Sequence, residues 1–216
     1  MEPNIPQRPL VSHPLITHAP GEVISLPPRL LPSAAYYALM ASYPEAGVGW
    51  GGRYDRTDKD THRFRIADTR GPLTLTVPIA KPQGGARWAD VELSDHGRWQ
   101  ETMPTALESA YGRTPFFEFY ADRLLPIIAN ARGGDKLIDF ASALDSAVCG
   151  ILGLTSHRIV HSATEVVKTP GAPLPELPPY WQVRAGTLGF IPGLSILDLI
   201  FNLGPEAPLL IRAATR

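Results

Sequence analysis

The chain is nearly without cysteine. Cys149 is the single one in 216 residues, so no intrachain disulfide can form and the core must be held by packing. Charge excess is missing too. A formal net charge of −1 leaves no broad basic field for a phosphate backbone and excludes generic nucleic-acid binding, while leaving room for a local basic cluster that takes a small phosphorylated ligand. Long apolar runs are lacking: the most apolar late stretch, "LGFIPGLSILDLIFNLG", carries Pro192 and Asp198 and reads as a buried helix rather than a membrane span. The first twenty residues, "MEPNIPQRPLVSHPLITHAP", have no charged head before an apolar core and are broken by prolines, unlike a secretory signal. With the lone thiol, which fits a reducing compartment, the expected location is the cytoplasm. There is no P-loop, no G-x-G-x-x-G opening a helix and no G-x-S-x-G elbow. No clustered His/Cys pattern points to a metal, and the sequence leaves the cofactor unknown.

Proline, by contrast, is abundant, at 23 residues. It concentrates in residues 1–20, read as a flexible arm, and in "TPGAPLPELPP", Thr169 to Pro179, read as an extended connector. Residues 21–216 between and around them form one domain. "EVISL" is a short strand. "SAAYYALMASY" has Ser33 as N-cap and helical apolar spacing. "HRFRIAD" and "PLTLTVPI" alternate as strands, with Gly71-Pro72 marking the turn between them. After Asp95 the pattern turns helical, with Pro126 expected to end or kink one helix. In "DKLIDFASALDSAVCGILGL", Leu137, Phe140, Ala141, Leu144, Val148 and Ile151 fall on one face behind an Asp135 cap, and Cys149 reads as a small buried hydrophobe. "LSILDLIFNLGP" has Ser195 and Asp198 spaced as a capping box and stops at Gly204-Pro205. The expected class is α+β: an N-terminal mixed or antiparallel sheet followed by a mainly helical C-terminal half.

Four segments in register resemble the WbqC-like protein family: "LPSAAYY", "HRFRIADTRGPLTLTVPIAKP", "SDHGRWQETMPTALESAYGRTPFFEFY" and "GFIPGLSILDLIFNLGPEA". The resemblance implies a process, the biosynthesis of O-antigen and other surface polysaccharides, through modification of sugar or sugar-nucleotide precursors. It implies no settled reaction. Three positions depart from the family pattern: Pro27-Pro28 where a Gln-Pro is common, Ile66 where a Cys or Asn is common, and Met103 where many members carry a His. Chemistry that needs those side chains does not operate here.

Three sets of residues are candidates for the site. Arg63 and Arg65, two apart on a strand, share a face. Their guanidiniums, about 7 Å apart from two strand rises, suit a phosphate or carboxylate; with His62 they form a substrate-binding group, the alternative being a solvated face paired to "YDRTDKD". Asp95 and His96 sit where strand gives way to helix. Neighbours on a strand face opposite sides, so they form no dyad while extended. Asp95 is then the helix cap, Trp99 packs the turn, and His96 is free as general acid or base; the alternative is a His96 bound to backbone. Asp198 and Asn202, at i and i+4 and followed by Glu206, share a helix face that can position sugar hydroxyls, or serve only as caps. Two functions follow: a group-transfer enzyme acting on a sugar nucleotide or amino sugar, or a non-catalytic scaffold that keeps the family fold and binds a protein partner.

Overall fold

The computed structural model describes residues 23–154, 158–162 and 173–214, with the side chains of Val23 and of 158–162 left aside. The N-terminal arm and residues 169–172 of the Pro-rich connector therefore lie outside the described residues. The elements in chain order are β1 (Val23–Leu26), α1 (Ala34–Ala41), β2 (Glu45–Gly49), β3 (Arg63–Asp68), β4 (Gly71–Thr76), α2 (Trp99–Tyr111), α3 (Phe117–Asn130), α4 (Leu137–Leu152), β5 (Arg158–Ser162), α5 (Ala185–Leu188), α6 (Ile196–Leu203) and α7 (Ala207–Ala213). The α+β class holds: strands β1–β4 come first and a mainly helical half follows.

The strands form two sheets. β1, β2 and β5 are parallel, with β2 in the middle. Parallel neighbours need a crossover, and α1 supplies the first, while the chain passes through α2, α3 and α4 before β5 returns beside β2. The interior of β2, Ala46–Val48, is buried, as a central parallel strand requires. Because β2 reads "EAGVG", with two glycines and no β-branched pattern, nothing in its composition announces a strand.

β3 and β4 form an antiparallel hairpin from Arg63↔Thr76 to Asp68↔Gly71. The turn falls one step earlier than Gly71-Pro72: Thr69 and Arg70 make the connection, and Gly71, at φ 124°, already pairs with Asp68. Pro72 is tolerated because β4 has no second neighbour among the described residues and its missing N–H faces outward. Along β3 the alternation holds, with Phe64 and Ile66 buried and Arg65 exposed.

In the helical half the apolar face of α4 buries Leu137, Phe140, Ala141, Leu144, Val148 and Leu152, each large side chain contributing roughly 1.5–3 kcal/mol. Leu152 takes the place expected of Ile151, which is half-buried. Lys136, not Asp135, is the N-cap; the Asp135 carboxylate instead accepts the Arg132 N–H at 2.7 Å. α3 runs through Pro126 to Asn130. Pro126 is on the exposed face, where the Asp122 carbonyl it leaves unbonded faces water, so the helix need not stop. Cys149 is buried, and burial pushes its thiol up to about 12. Trp50, Tyr37, Tyr111 and Phe201 are fully buried at the centre of the core. No helix among the described residues is long and apolar enough to cross a membrane.

Candidate functional site

The strongest candidate site is assembled by three chain segments that meet beside β3. Ser195 donates its N–H to the Arg65 carbonyl at 2.8 Å, and Ile196 donates to the Pro32 carbonyl at 2.7 Å. Ser33 and Ser195 form an antiparallel bridge. These bonds bring the starts of α1 and α6 together against the arginine strand. Leu31, next to this junction, is held at φ 41° and is buried. A branched-chain residue in the left-handed region is strained by about 1–3 kcal/mol, a cost that the surrounding packing must hold in place.

The junction opens into a cleft of about 380 Å³ whose lining includes Arg29, Arg63, Arg65, Asp60, Ser33 and Ser195. Three guanidiniums face one carboxylate there. Arg29 is partly neutralised by Asp58, with Nη1 at 2.8 Å from Oδ2. Arg65 donates from Nη2 to the Gly193 carbonyl at 3.1 Å. The Nε of Arg63 is buried with no hydrogen-bond partner among the described residues, a donor whose desolvation nothing offsets. The N-terminal ends of α1 and α6 add their positive dipole ends. The cleft is therefore built to favour an anion, and paired planar guanidiniums suit phosphate or carboxylate.

A second cleft of about 330 Å³ adjoins the first and shares Ser33 and Gly193 with it. Its remaining walls are largely apolar, including Ala34, Ala35, Leu177, Tyr180, Phe190 and Pro192. The described part of the Pro-rich segment is thus no bare connector: Leu174 walls the arginine cleft, and Pro175, Glu176 and Leu177 wall the apolar one.

His62 precedes the arginine pair but is not among the cleft-lining residues. It is 5% exposed, and its Nδ1 has no partner among the described residues. Burial pulls its pKa down to about 4, helped by Arg63 and Lys59 and opposed by Asp58 and Asp60. The imidazole is neutral at pH 7.

Asp198 and Asn202 fall beneath the clefts rather than in them. Asp198 is 1% exposed. Its Oδ2 accepts from Tyr180 Oη at 2.7 Å and from Gln182 Nε2 at 2.8 Å, and its Oδ1 accepts from Asn202 Nδ2 at 3.2 Å. Burial raises its pKa, against the lowering effect of these bonds. Asn202 Oδ1 accepts the Val183 N–H at 2.9 Å, and Gln182 exchanges bonds with both backbone groups of Ile191. This network ties the 180–191 segment to α6. The capping box is only half made: Ser195 Oγ accepts the Leu197 N–H at 3.3 Å, but the Ser195 N–H goes to Arg65 and the Asp198 carboxylate turns inward.

Asp95 and His96 stand apart from both clefts and are exposed. Asp95 does not cap α2, because Gly97 at φ 80° and Arg98 at φ 52° insert a left-handed turn before the helix begins at Trp99. Its Oδ1 accepts instead from the Gly133 N–H at 2.7 Å and from Gln100 Nε2 at 2.6 Å, pinning the α3–α4 loop to the start of α2. Trp99 packs the turn as expected, buried edge-on to Phe140 and donating Nε1–H to the Ser94 carbonyl at 2.7 Å. The structure thus brings Arg63 and Arg65 to one cleft, leaves His62 behind it, sets Asp198 and Asn202 beneath its neighbour, and leaves Asp95 and His96 elsewhere. Arg29, Asp60 and Gly193 join the cleft without having stood out by spacing, and Ser195, legible only as a helix cap, joins it as well.

The fold and site define an α+β protein with an arginine-walled cleft poised for an anionic group. Residues 28–171 match the model of the WbqC-like protein family, and the chain belongs to that family. An uncharacterized protein of Mycobacterium tuberculosis (strain ATCC 25618 / H37Rv) is 27% identical over 219 residues, covering 84% of this chain and 94% of its own. No solved structure matches.

Proposed function

We propose that this protein is a cytoplasmic enzyme of surface-polysaccharide biosynthesis that transfers a group to a sugar nucleotide or amino sugar bearing phosphate. The observation that carries this reading is the arginine cleft: Arg63 and Arg65 at the meeting point of two helix N-termini, with the Arg63 Nε buried and without a partner among the described residues. Arg63 and Arg65 hold the phosphate. Transfer to a hydroxyl or amine releases a proton, and Asp60 is the carboxylate among the cleft-lining residues that can accept it. His96 takes no part at this cleft. The scaffold alternative calls for an exposed apolar face without a polar pocket, and a cleft this rich in guanidiniums weighs against it.

The test is thermal unfolding in the presence of nucleotide sugars and amino-sugar phosphates. A nucleotide sugar at 100 times its Kd stabilises by about 2.7 kcal/mol, a readily measured rise in Tm. That rise is expected to vanish in Arg65→Ala. A panel without any response, or a response undiminished in Arg65→Ala, sinks the proposal.

A further inference from the structure

The apolar cleft beside the arginines has the features of the other half of a ligand site. We infer that the two clefts bind one nucleotide, its base in the apolar cleft and its phosphates against Arg63 and Arg65. This rests on the anion-binding reading of the arginine cleft and adds to it a separate subsite for the base, which decides for a nucleotide over an amino-sugar phosphate. Volumes of about 330 and 380 Å³ are each at the small end for a single-ligand site, and the shared Ser33 and Gly193 make them immediate neighbours.

Gly193 lies on the boundary between the two clefts. It sits at φ +67°, and a Cβ there would lie 3.1 Å from Arg65 Nη2, so a side chain would both strain the backbone and crowd the guanidinium. Its carbonyl meanwhile accepts from that same Nη2. One residue therefore aims Arg65 and keeps the space beside its guanidinium free of a side chain.

The wall of the apolar cleft selects a flat ring over a sugar. Tyr180 and Phe190 stand edge to face, centroids 5.3 Å apart at 80°. The Tyr180 hydroxyl is committed to Asp198, which fixes its ring, and Phe190 is braced against it. Leu177 and Pro192 continue the apolar surface. A pyranose would bury several hydroxyls here with few partners. A nucleobase needs only an aromatic corner and a polar rim, and Glu176 and Ser33 provide the rim. The buried Asp198 network thereby acquires a purpose, since it holds the base-binding corner.

Calorimetric titration of the full chain with inorganic pyrophosphate, UDP and ADP at fixed ionic strength separates the two halves. In the wild type at least one nucleoside diphosphate is expected to bind ten-fold or more tightly than pyrophosphate. Phe190→Ala should erase that advantage while pyrophosphate binding persists. Ala35→Phe, at a half-buried helix position lining the apolar cleft, should do the same by filling the space without disturbing the Tyr180 network. Pyrophosphate binding with no nucleoside advantage, or an advantage that survives both substitutions, overturns the two-part site and leaves the phosphate reading standing. Failure to bind either pyrophosphate or a nucleoside diphosphate overturns both.

Discussion

Replacing His62 with Gln should remove a pH-dependent part of the stability of this fold, and the size of that part follows from the imidazole's surroundings. His62 is buried, its Nδ1 lacks a partner among the described residues, and Arg63 and Lys59 disfavour a positive charge there. Its pKa falls from 6.5 to about 4. In the unfolded chain the same group titrates near 6.5. The stabilisation is therefore fully present above about pH 6.5 and is lost as pH falls toward about 4, because the unfolded state takes up the proton first. Between pH 7 and pH 5 the difference comes to about 2 kcal/mol. Urea unfolding of wild type and His62→Gln at those two pH values isolates it, since all other titrating groups are common to both proteins. The wild type should lose about 2 kcal/mol more than the variant over this interval. Parallel losses agreeing within about 0.5 kcal/mol would show that His62 is solvated or paired and would refute the reasoning.

Asp198→Ala leaves Tyr180, Gln182 and Asn202 without their shared acceptor; a loss of about 3–5 kcal/mol is expected in denaturant unfolding, whereas a near-neutral effect would mean the carboxylate is not structural. Gly133→Ala puts a Cβ 2.5 Å from Asp95 Oδ2 and should cost about 1–3 kcal/mol. Most of that cost should return in the Asp95→Ala background, and additive losses in the double variant would exclude this contact as the cause.

How much of this was legible in the sequence depended on whether the signal was local. The alternation of Arg63, Phe64 and Arg65 placed the arginines on one face because strand period alone decides it. The face of α4 and the Ser195 cap of α6 were likewise readable from spacing. The family, too, was legible from its motifs. Asp95 was misread as a cap because Asp before a helical pattern is ordinarily one, and only the backbone reveals the left-handed Gly97–Arg98 turn between them. Asp198 carries the same pattern as an exposed capping box, and nothing nearby in sequence says that Tyr180 and Gln182 will fold over it. β2 lacked the residues that advertise strands. The cleft itself depends on Ser195 bonding to Arg65 and Ile196 bonding to Pro32, contacts between segments more than a hundred residues apart, which no periodicity encodes.

The central claim is that the arginine cleft binds phosphate, and titration of the wild type, Arg63→Ala and Arg65→Ala with pyrophosphate tests it most directly. Loss of one charge-assisted contact of about 1.5–3 kcal/mol should weaken binding by roughly 10- to 100-fold in each variant, with wild-type affinity falling as salt rises. Equal affinity in all three proteins would contradict the account.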